Sequence, residues 1–131
     1  TVLHHELPEY FDMILADVPC SAEGRMNPTD PRSYSFWSEK NIVAHAKLQR
    51  RLLRSAIAML KPGGMLVYST CTLAPEENEG MITWLLTDFP VMKAETITLP
   101  FPGIAHKLTK SITLLPTKQY ECFFVAKLRK L

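Results

Sequence analysis

Several features that would place this chain outside the ordinary globular proteins are missing from its 131 residues. No apolar run of about 18 residues or more occurs, so we predict no membrane-spanning helix. The first residues contain neither a basic segment nor an apolar run, so we expect no signal peptide in this stretch. Only five glycines are present and none forms a G-x-G-x-x-G motif, so this sequence contains no dinucleotide-type phosphate loop.

Cysteine and excess charge are also scarce. The three cysteines are an odd number without C-x2-C spacing, which excludes a disulfide framework and a cysteine zinc site. The histidines have no ligand-like spacing, and we predict no metal. We expect a reducing, intracellular setting, cytoplasmic or, in a eukaryote, nuclear or nucleolar. The net charge of +2 permits a local nucleic-acid contact but does not by itself indicate one.

The composition is that of a folded domain. Hydrophobic residues make up 47% of the chain and charged residues 21%, which supplies enough apolar material for a core. The chain has no initial methionine and begins just before a strand-like segment, so we interpret its start as a fragment boundary or a proteolytic cut.

Apolar runs and helical periodicity alternate along the chain. Each strand-like run ends in polar residues, and turn-forming residues separate the elements. We predict strands over residues 10–17, 65–70, 92–99, 112–115 and 121–128, helices over 39–60 and from Pro75 to about Phe89, and a long loop over 21–38.

This order predicts an α/β fold of the doubly wound type, in which ligands bind beyond the carboxyl ends of the strands. The continuous apolar strand over residues 10–17 predicts cover on both faces of the sheet. Cys20 and Cys71 each follow a predicted strand, and we expect them to face the same crevice although about 50 residues separate them.

Three segments carry a family resemblance, which spans nearly the whole chain. Residues 11–21 (FDMILADVPCS), with Glu23 and Gly24, resemble the fourth motif of the RNA 5-methylcytosine methyltransferases, which include the rRNA and tRNA enzymes. Residues 61–79 (KPGGMLVYSTCTLAPEENE) resemble the sixth motif. Residues 123–127 (FFVAK) resemble the last strand. The resemblance implies a Rossmann-like methyltransferase sheet with flanking helices, an RNA substrate and S-adenosylmethionine as the cofactor.

The resemblance also implies roles for two cysteines. Carbon 5 of cytosine becomes nucleophilic only after a thiolate has added to carbon 6, which is covalent catalysis. By position, Cys71 corresponds to the nucleophile and Cys20 to the thiol that assists release. We expect the helix predicted at Pro75 to lower the pKa of Cys71. A buried structural cysteine is the alternative for either residue.

Two further positions belong to the same implied site. Asp17 resembles the family acid that lies where the cofactor and the base meet, and it would hydrogen-bond the N3 and N4 edge of cytosine or approach the cofactor. An ordinary strand-end aspartate that caps a turn is the alternative. Pro19 would fix the backbone beside the base, with a structural role equally open.

The chain departs from the family in three places. The Gly-rich loop and the ribose-binding acid would lie upstream of Thr1, so residues 1–131 are interpreted as a partial methyltransferase domain, its C-terminal half. Where the family commonly has an arginine the chain has Asn27, with Arg25 and Arg32 as substitutes. Cys122 replaces a glycine. Without the missing half, the strand over residues 11–17 would be left at an edge, and we expect pairing with that half or with a second copy.

Other interpretations stay open. A DNA cytosine methyltransferase is disfavoured because Pro-Cys-Ser replaces the usual Pro-Cys-Gln and no Glu-Asn-Val occurs. A catalytically silent RNA-binding or assembly module that keeps the fold is the second alternative. Two clusters each allow a binding and a structural interpretation. The basic residues of the first helix would contact phosphates or form a solvated face (Lys47, Arg50, Arg51, Arg54). The aromatic residues of the long loop would stack on a base or anchor the loop to the core (Tyr34, Phe36, Trp37).

Overall fold

The computed structural model describes residues 6–100 and 102–131. Within them six strands form one sheet, and two α-helices and two short 3-10 helices connect them. The elements are β1 (Phe11–Asp17), 3-10 turns at Glu23–Arg25 and Pro31–Tyr34, α1 (Glu39–Met59), β2 (Leu60–Thr70), α2 (Glu79–Asp88), β3 (Met92–Glu95), β4 (Ile104–His106), β5 (Ser111–Leu114) and β6 (Phe123–Lys130).

The sheet has the order β1-β2-β6-β5-β4, and β3 pairs with β6 beside β5. Among the described strands only β1 and β2 run parallel, and α1 forms the crossover between them. The other neighbours are antiparallel. The predicted α/β fold with a sheet and flanking helices is confirmed. All of the predicted strands are present, although β3 is shorter than expected and ends at Glu95.

The helix α1 forms as its sequence predicts. The Ser38 hydroxyl caps its start by accepting a hydrogen bond from the Asn41 N–H at 3.1 Å. Its apolar stripe is buried. The helix ends at Met59 because Leu60 is already extended, with ψ of 132°. No separate loop follows, since β2 begins at Leu60. Its pairing with β1 is irregular near Gly63, which has a φ of 77° and supplies the bend.

The helix α2 begins at Glu79, so the prediction of a start at Pro75 is wrong. The Asn78 and Gly80 N–H groups both donate to the Pro75 carbonyl, at 3.2 and 2.8 Å, which closes turns in place of a first helical turn. The side chains of Glu77 and Asn78 are fully buried and bond to the loops that follow β1 and β2. These hydrogen bonds hold the segment away from the helix axis.

The core lies between the sheet and both helices. Alternate residues of β2 and β6 point at the same helices, which places α1 and α2 on one face of the sheet within the described residues. The core side chains include Leu66 and Tyr68 of β2, Phe124 and Leu128 of β6, Leu53 and Ile57 of α1, and Met81, Ile82 and Leu85 of α2.

The strand β1 is covered less than its apolar sequence predicts. Ile14 and Ala16 pack on the core, whereas Met13 and Leu15 on the other face are 66% and 71% exposed. Its pairing within the described residues is with β2 alone, so its outer edge has free N–H and C=O groups. Exposed edges of this kind recruit further strands, and exposed apolar side chains favour association.

We therefore predict that the isolated chain of residues 1–131 self-associates through β1. Sedimentation equilibrium at low micromolar concentration should detect dimers or larger species. The variant Leu15→Lys, which places a charge on the exposed face of β1, should weaken this association. A well-folded monomer with cooperative melting would show that the β1 edge does not need a partner.

Candidate functional site

Two thiols meet where the parallel strands β1 and β2 end. Asp17 pairs with Ser69 in the sheet register, so the segments that leave the two strands emerge side by side. Cys20 and Cys71 lie in these segments, and their Sγ atoms are 3.2 Å apart. The Cys71 backbone N–H donates to Cys20 Sγ at 3.4 Å. The prediction that both cysteines face one crevice is confirmed in its geometry.

The thiols open onto a cavity of about 1090 Å³. One side comes from the ends of β1 and β2, and the other from β5 and the segment that leads into β6. A volume of this size suits a nucleotide-sized ligand. The lining includes Asp17, Pro19, Cys20, Arg25 and Cys71 on the first side and Leu114, Leu115, Tyr120, Cys122 and Phe123 on the second.

Asp17 and Pro19 both line this cavity. The Ser69 hydroxyl donates to Asp17 Oδ1 at 2.8 Å, which fixes the carboxylate at the end of β1. The Asp17 side chain is exposed to the cavity and accepts no turn-capping hydrogen bond among the described residues. Both residues therefore lie where a ligand would contact them.

Burial, followed by the hydrogen bond and the charge of Cys20, raises the pKa of Cys71 to about 12. The Arg25 guanidinium acts in the opposite direction. The expectation that a helix N-terminus lowers the pKa of Cys71 is wrong. The reason is that α2 begins only at Glu79, and burial beside a second thiol dominates.

Arg25 takes the position near the thiols, whereas Arg32 does not. Arg25 lines the cavity and pairs with Glu121 at 3.2 Å. Arg32 pairs with Asp30 on the surface of the long loop. Of the two arginines considered as substitutes for the residue at Asn27, only Arg25 reaches the site.

Gly24 allows the loop after β1 to pack against Cys71. Its N–H donates to the Cys71 carbonyl at 3.1 Å. A Cβ atom at Gly24 would lie 2.4 Å from Cys122 Sγ and 2.9 Å from the Cys71 carbonyl oxygen. A larger residue at position 24 would therefore displace the segment that holds Cys71.

Cys122 is a third thiol at the same cavity, although no role there was predicted for it from the sequence. It is buried, and this burial raises its pKa to about 11. The position of Cys122 opposite Gly24 follows from the turn into β6. No local sequence pattern predicts that position.

A buried polar network lies beneath the thiols and was not predicted from the sequence. Gln49 of α1 and Glu77 are both 0% exposed and hydrogen-bonded to each other at 2.6 Å. Tyr68 donates to the Gln49 side chain and to the Glu77 carbonyl, and burial raises its pKa. One signal was available: Gln49 follows Ala46 by three residues on the apolar stripe of α1, where a polar side chain needs a buried partner.

The two remaining clusters are explained by packing and exposure. Arg50 and Arg54 lie over the Trp84 ring at 5.1 and 5.0 Å from its centroid, which is the cation–π geometry. Tyr34, Phe36 and Trp37 are exposed, so core anchoring of the long loop by these residues is wrong. The Trp37 indole donates to Glu23 at 2.7 Å.

Two classes of site find no support in the described ranges. None of the helices there is both long enough and apolar enough to cross a membrane. Nor do three or more histidine, cysteine or acidic side chains gather there into a group that would hold a metal ion.

The raised pKa of Cys71 predicts its reactivity in the free protein. Because only the thiolate is alkylated, iodoacetamide labelling of Cys71 should rise about tenfold per pH unit from pH 7 to 9, without the plateau of a thiol whose pKa is about 8.5. Site-resolved mass spectrometry measures it. Cys20→Ser should speed labelling at pH 8 and Arg25→Ala should slow it. A plateau below pH 9 in the unmodified protein would contradict the raised pKa.

Comparison with known proteins identifies relatives of this chain. Ribosomal RNA small subunit methyltransferase F from Pectobacterium atrosepticum is 44% identical over 128 residues, which cover 95% of this chain and 26% of that protein. The protein of the same name from Escherichia coli is 46% identical over 129 residues, with the same coverage of 95% and 26%. The chain thus spans about a quarter of the length of these curated relatives.

Solved structures agree with the sequence relatives. The structure of NSun6 from Pyrococcus horikoshii with SFG matches with a TM-score of 0.74 and 39% identity, over 89% of this chain and 29% of that one. A methyltransferase homolog protein from the same organism matches with a TM-score of 0.74 and 35% identity, over 92% and 39%. Residues 2–129 match the family described as 16S rRNA methyltransferase RsmB/F. The chain belongs to the RsmB/F family of rRNA methyltransferases.

Proposed function

We propose that this chain supplies the catalytic thiols of an enzyme that methylates carbon 5 of cytosine in RNA, with S-adenosylmethionine as the methyl donor. Family membership supports an RNA methyltransferase, and the names of the curated relatives favour ribosomal RNA over tRNA as the substrate. A ribosomal substrate in turn favours a cytoplasmic site of action in a bacterium.

The observation that carries this proposal is the 3.2 Å contact between Cys20 and Cys71 at the cavity. Methylation at carbon 5 needs one thiol that adds to the ring and a second group that handles a proton during release. A single cysteine would supply the thiol that adds to the ring but not the second group. Two cysteines from separate segments, brought together at a nucleotide-sized cavity, supply both.

In the proposed reaction the Cys71 thiolate forms a bond to carbon 6 of cytosine. The electron pair of the carbon 5–carbon 6 double bond then makes carbon 5 nucleophilic. After methylation, Cys20 acts as the base and takes the proton of carbon 5. The electron pair of that C–H bond re-forms the carbon 5–carbon 6 double bond, and Cys71 leaves carbon 6 as a thiolate. Cys20 assists this release. Because Cys20 Sγ lies within hydrogen-bonding distance of Cys71 Sγ, the group that takes the carbon 5 proton lies beside the bond that breaks.

We assign to Asp17 a contact with the cytosine base. Asp17 and Pro19 are also assigned contacts with the cofactor. The Asp17 carboxyl group is held by Ser69 and reaches the cavity, where it can bond the N3 and N4 edge of cytosine. That contact supports protonation at N3, which favours thiolate addition at carbon 6. Pro19 stiffens the backbone between Asp17 and Cys20, which helps to hold both side chains at the same wall of the cavity.

S-adenosylmethionine, when bound, supplies the methyl group. Asp17 and Pro19 line the cavity beside the thiols. They would contact the end of the cofactor that carries the methyl group. The sequence contains no Gly-rich phosphate-type loop. We therefore propose that residues 1–131 form the base-side and catalytic part of a methyltransferase domain, and that the rest of the cofactor site comes from another part of the protein.

The thiol assignments predict opposite behaviour of two variants. In the full-length protein, Cys71→Ala should abolish methylation and the covalent adduct with RNA that contains 5-fluorocytosine. Cys20→Ala should instead trap the protein on unmodified RNA, because addition proceeds while release fails. Gel electrophoresis under denaturing conditions detects the adduct. If Cys71→Ala still forms the adduct and Cys20→Ala does not, the two roles are reversed.

The same assay distinguishes an enzyme from a silent RNA-binding or assembly module. A silent module would bind RNA without any Cys71-dependent adduct or methyl transfer. Binding of RNA that is equal in the unmodified protein and in Cys71→Ala, with neither reaction detectable, would overturn the proposal of catalysis.

The isolated chain of residues 1–131 should bind S-adenosylmethionine only very weakly. The physical reason is that this sequence has no Gly-rich loop to hold the cofactor. Isothermal titration calorimetry measures the affinity, with the full-length protein as the control. Micromolar affinity of the isolated chain would mean that the described cavity holds the cofactor unaided.

A further inference from the structure

The peptide groups on both sides of Cys20 are held by two buried side chains. The Gln49 amide donates to the Pro19 carbonyl at 2.9 Å. The Ser21 N–H donates to the Glu77 carboxyl group, at 3.1 Å to Oε2 and 3.3 Å to Oε1. The Gln49 amide also donates to Glu77 Oε2 at 2.6 Å, so the two side chains form one unit.

Tyr68 fixes this unit to the sheet. Its hydroxyl lies 3.2 Å from Gln49 Oε1 and 2.7 Å from the Glu77 carbonyl. Gln49, Glu77 and Tyr68 are all 0% exposed, so water is not at hand to replace a lost partner. A buried polar group without a partner is costly, which makes the arrangement of these groups specific.

Cys71 is held by a different side chain. The Thr70 hydroxyl donates to Asn78 Oδ1 at 2.6 Å, and Asn78 Nδ2 donates to the Thr72 carbonyl at 2.9 Å. The residues that flank Cys71 are therefore attached to Asn78, whereas those that flank Cys20 are attached to Gln49 and Glu77. A 2.8 Å contact between the Ser21 and Thr72 hydroxyls links the two segments.

We propose that Gln49 and Glu77 are positioning residues that set the distance between the Cys20 and Cys71 thiols. Gln49 fixes the carbonyl before Cys20, and Glu77 fixes the N–H after it. The backbone position of Cys20, from which its side chain contacts Cys71, is therefore fixed. We call this pair, Gln49 and Glu77, the clamp. Its consequence for catalysis rests on the function proposed above. Loss of the clamp impairs the release step, which needs Cys20, more than the addition step, which needs Cys71.

The first test measures thiol geometry without any assumption about RNA. Diamide converts the two thiols into a disulfide: the sulfur atoms give up two protons and two electrons, and the N=N bond of diamide takes them up to become a hydrazine. In the full-length protein, Gln49→Ala should slow formation of the Cys20–Cys71 disulfide about a hundredfold, because a displacement of about 1 Å has effects of that order. Peptide mass spectrometry identifies the disulfide.

Two controls separate positioning from general loss of stability. Ile57→Ala truncates a buried residue of α1 that lies in the core, and it should leave the rate of disulfide formation unchanged. Glu77→Gln keeps one oxygen where Oε2 accepts from both Ser21 and Gln49, so it should stay close to the unmodified protein. An unchanged rate in Gln49→Ala, or a loss in Ile57→Ala equal to that in Gln49→Ala, would overturn the proposal.

The second test follows the covalent adduct on unmodified cytosine RNA. Gln49→Ala should accumulate more Cys71-dependent adduct than the unmodified protein, because release is impaired, and Asn78→Ala should accumulate less. Simple unfolding would lower the adduct in both variants. Equal or lower adduct in Gln49→Ala, in a protein that otherwise forms it, would refute the clamp while the proposed function stands. Slower disulfide formation in Gln49→Ala, together with no adduct on any RNA in the unmodified protein, would support the clamp and refute the proposed function.

Discussion

The parallel pairing of β1 with β2 is the interaction on which the site depends. Their hydrogen-bonded register places Asp17 opposite Ser69, so the segments that follow the two strands leave the sheet together. Each segment carries one cysteine, and the thiols meet at 3.2 Å. The helix α1 between the strands contributes its apolar stripe to the core and Gln49 to the polar network. One crossover therefore forms the fold and orients the reactive groups.

The polar network explains how the polar groups of the site are buried without losing their hydrogen bonds. Among the described residues, every buried side-chain nitrogen and oxygen atom has a hydrogen-bond partner. Glu77 is a fully buried carboxyl group near the thiols, and its partners are N–H groups of Ser21 and Gln49. The hydrogen bonds that interrupt the start of α2 are the same ones that hold the loops around the cysteines. The irregular segment before α2 is therefore part of the site.

Sequence patterns predicted the elements well because apolar periodicity and turn residues are local signals. The helix α1, the strands β1 and β2 and the meeting of Cys20 with Cys71 followed from such signals. Other features did not, including the following three. The start of α2 depended on the distant partners of Glu77 and Asn78, the raised pKa of Cys71 on burial, and the position of Cys122 on how β6 returns to the sheet. Each is set by tertiary contacts that residue order does not contain.

The proposed function depends above all on a covalent bond between Cys71 and the RNA base. The most direct measurement is tandem mass spectrometry of the nuclease-digested and protease-digested adduct between the full-length protein and RNA that contains 5-fluorocytosine. We expect a nucleotide mass on the peptide that contains Cys71 and none on the peptides that contain Cys20 or Cys122. A nucleotide on the Cys20 or Cys122 peptide, with Cys71 unmodified, would contradict it.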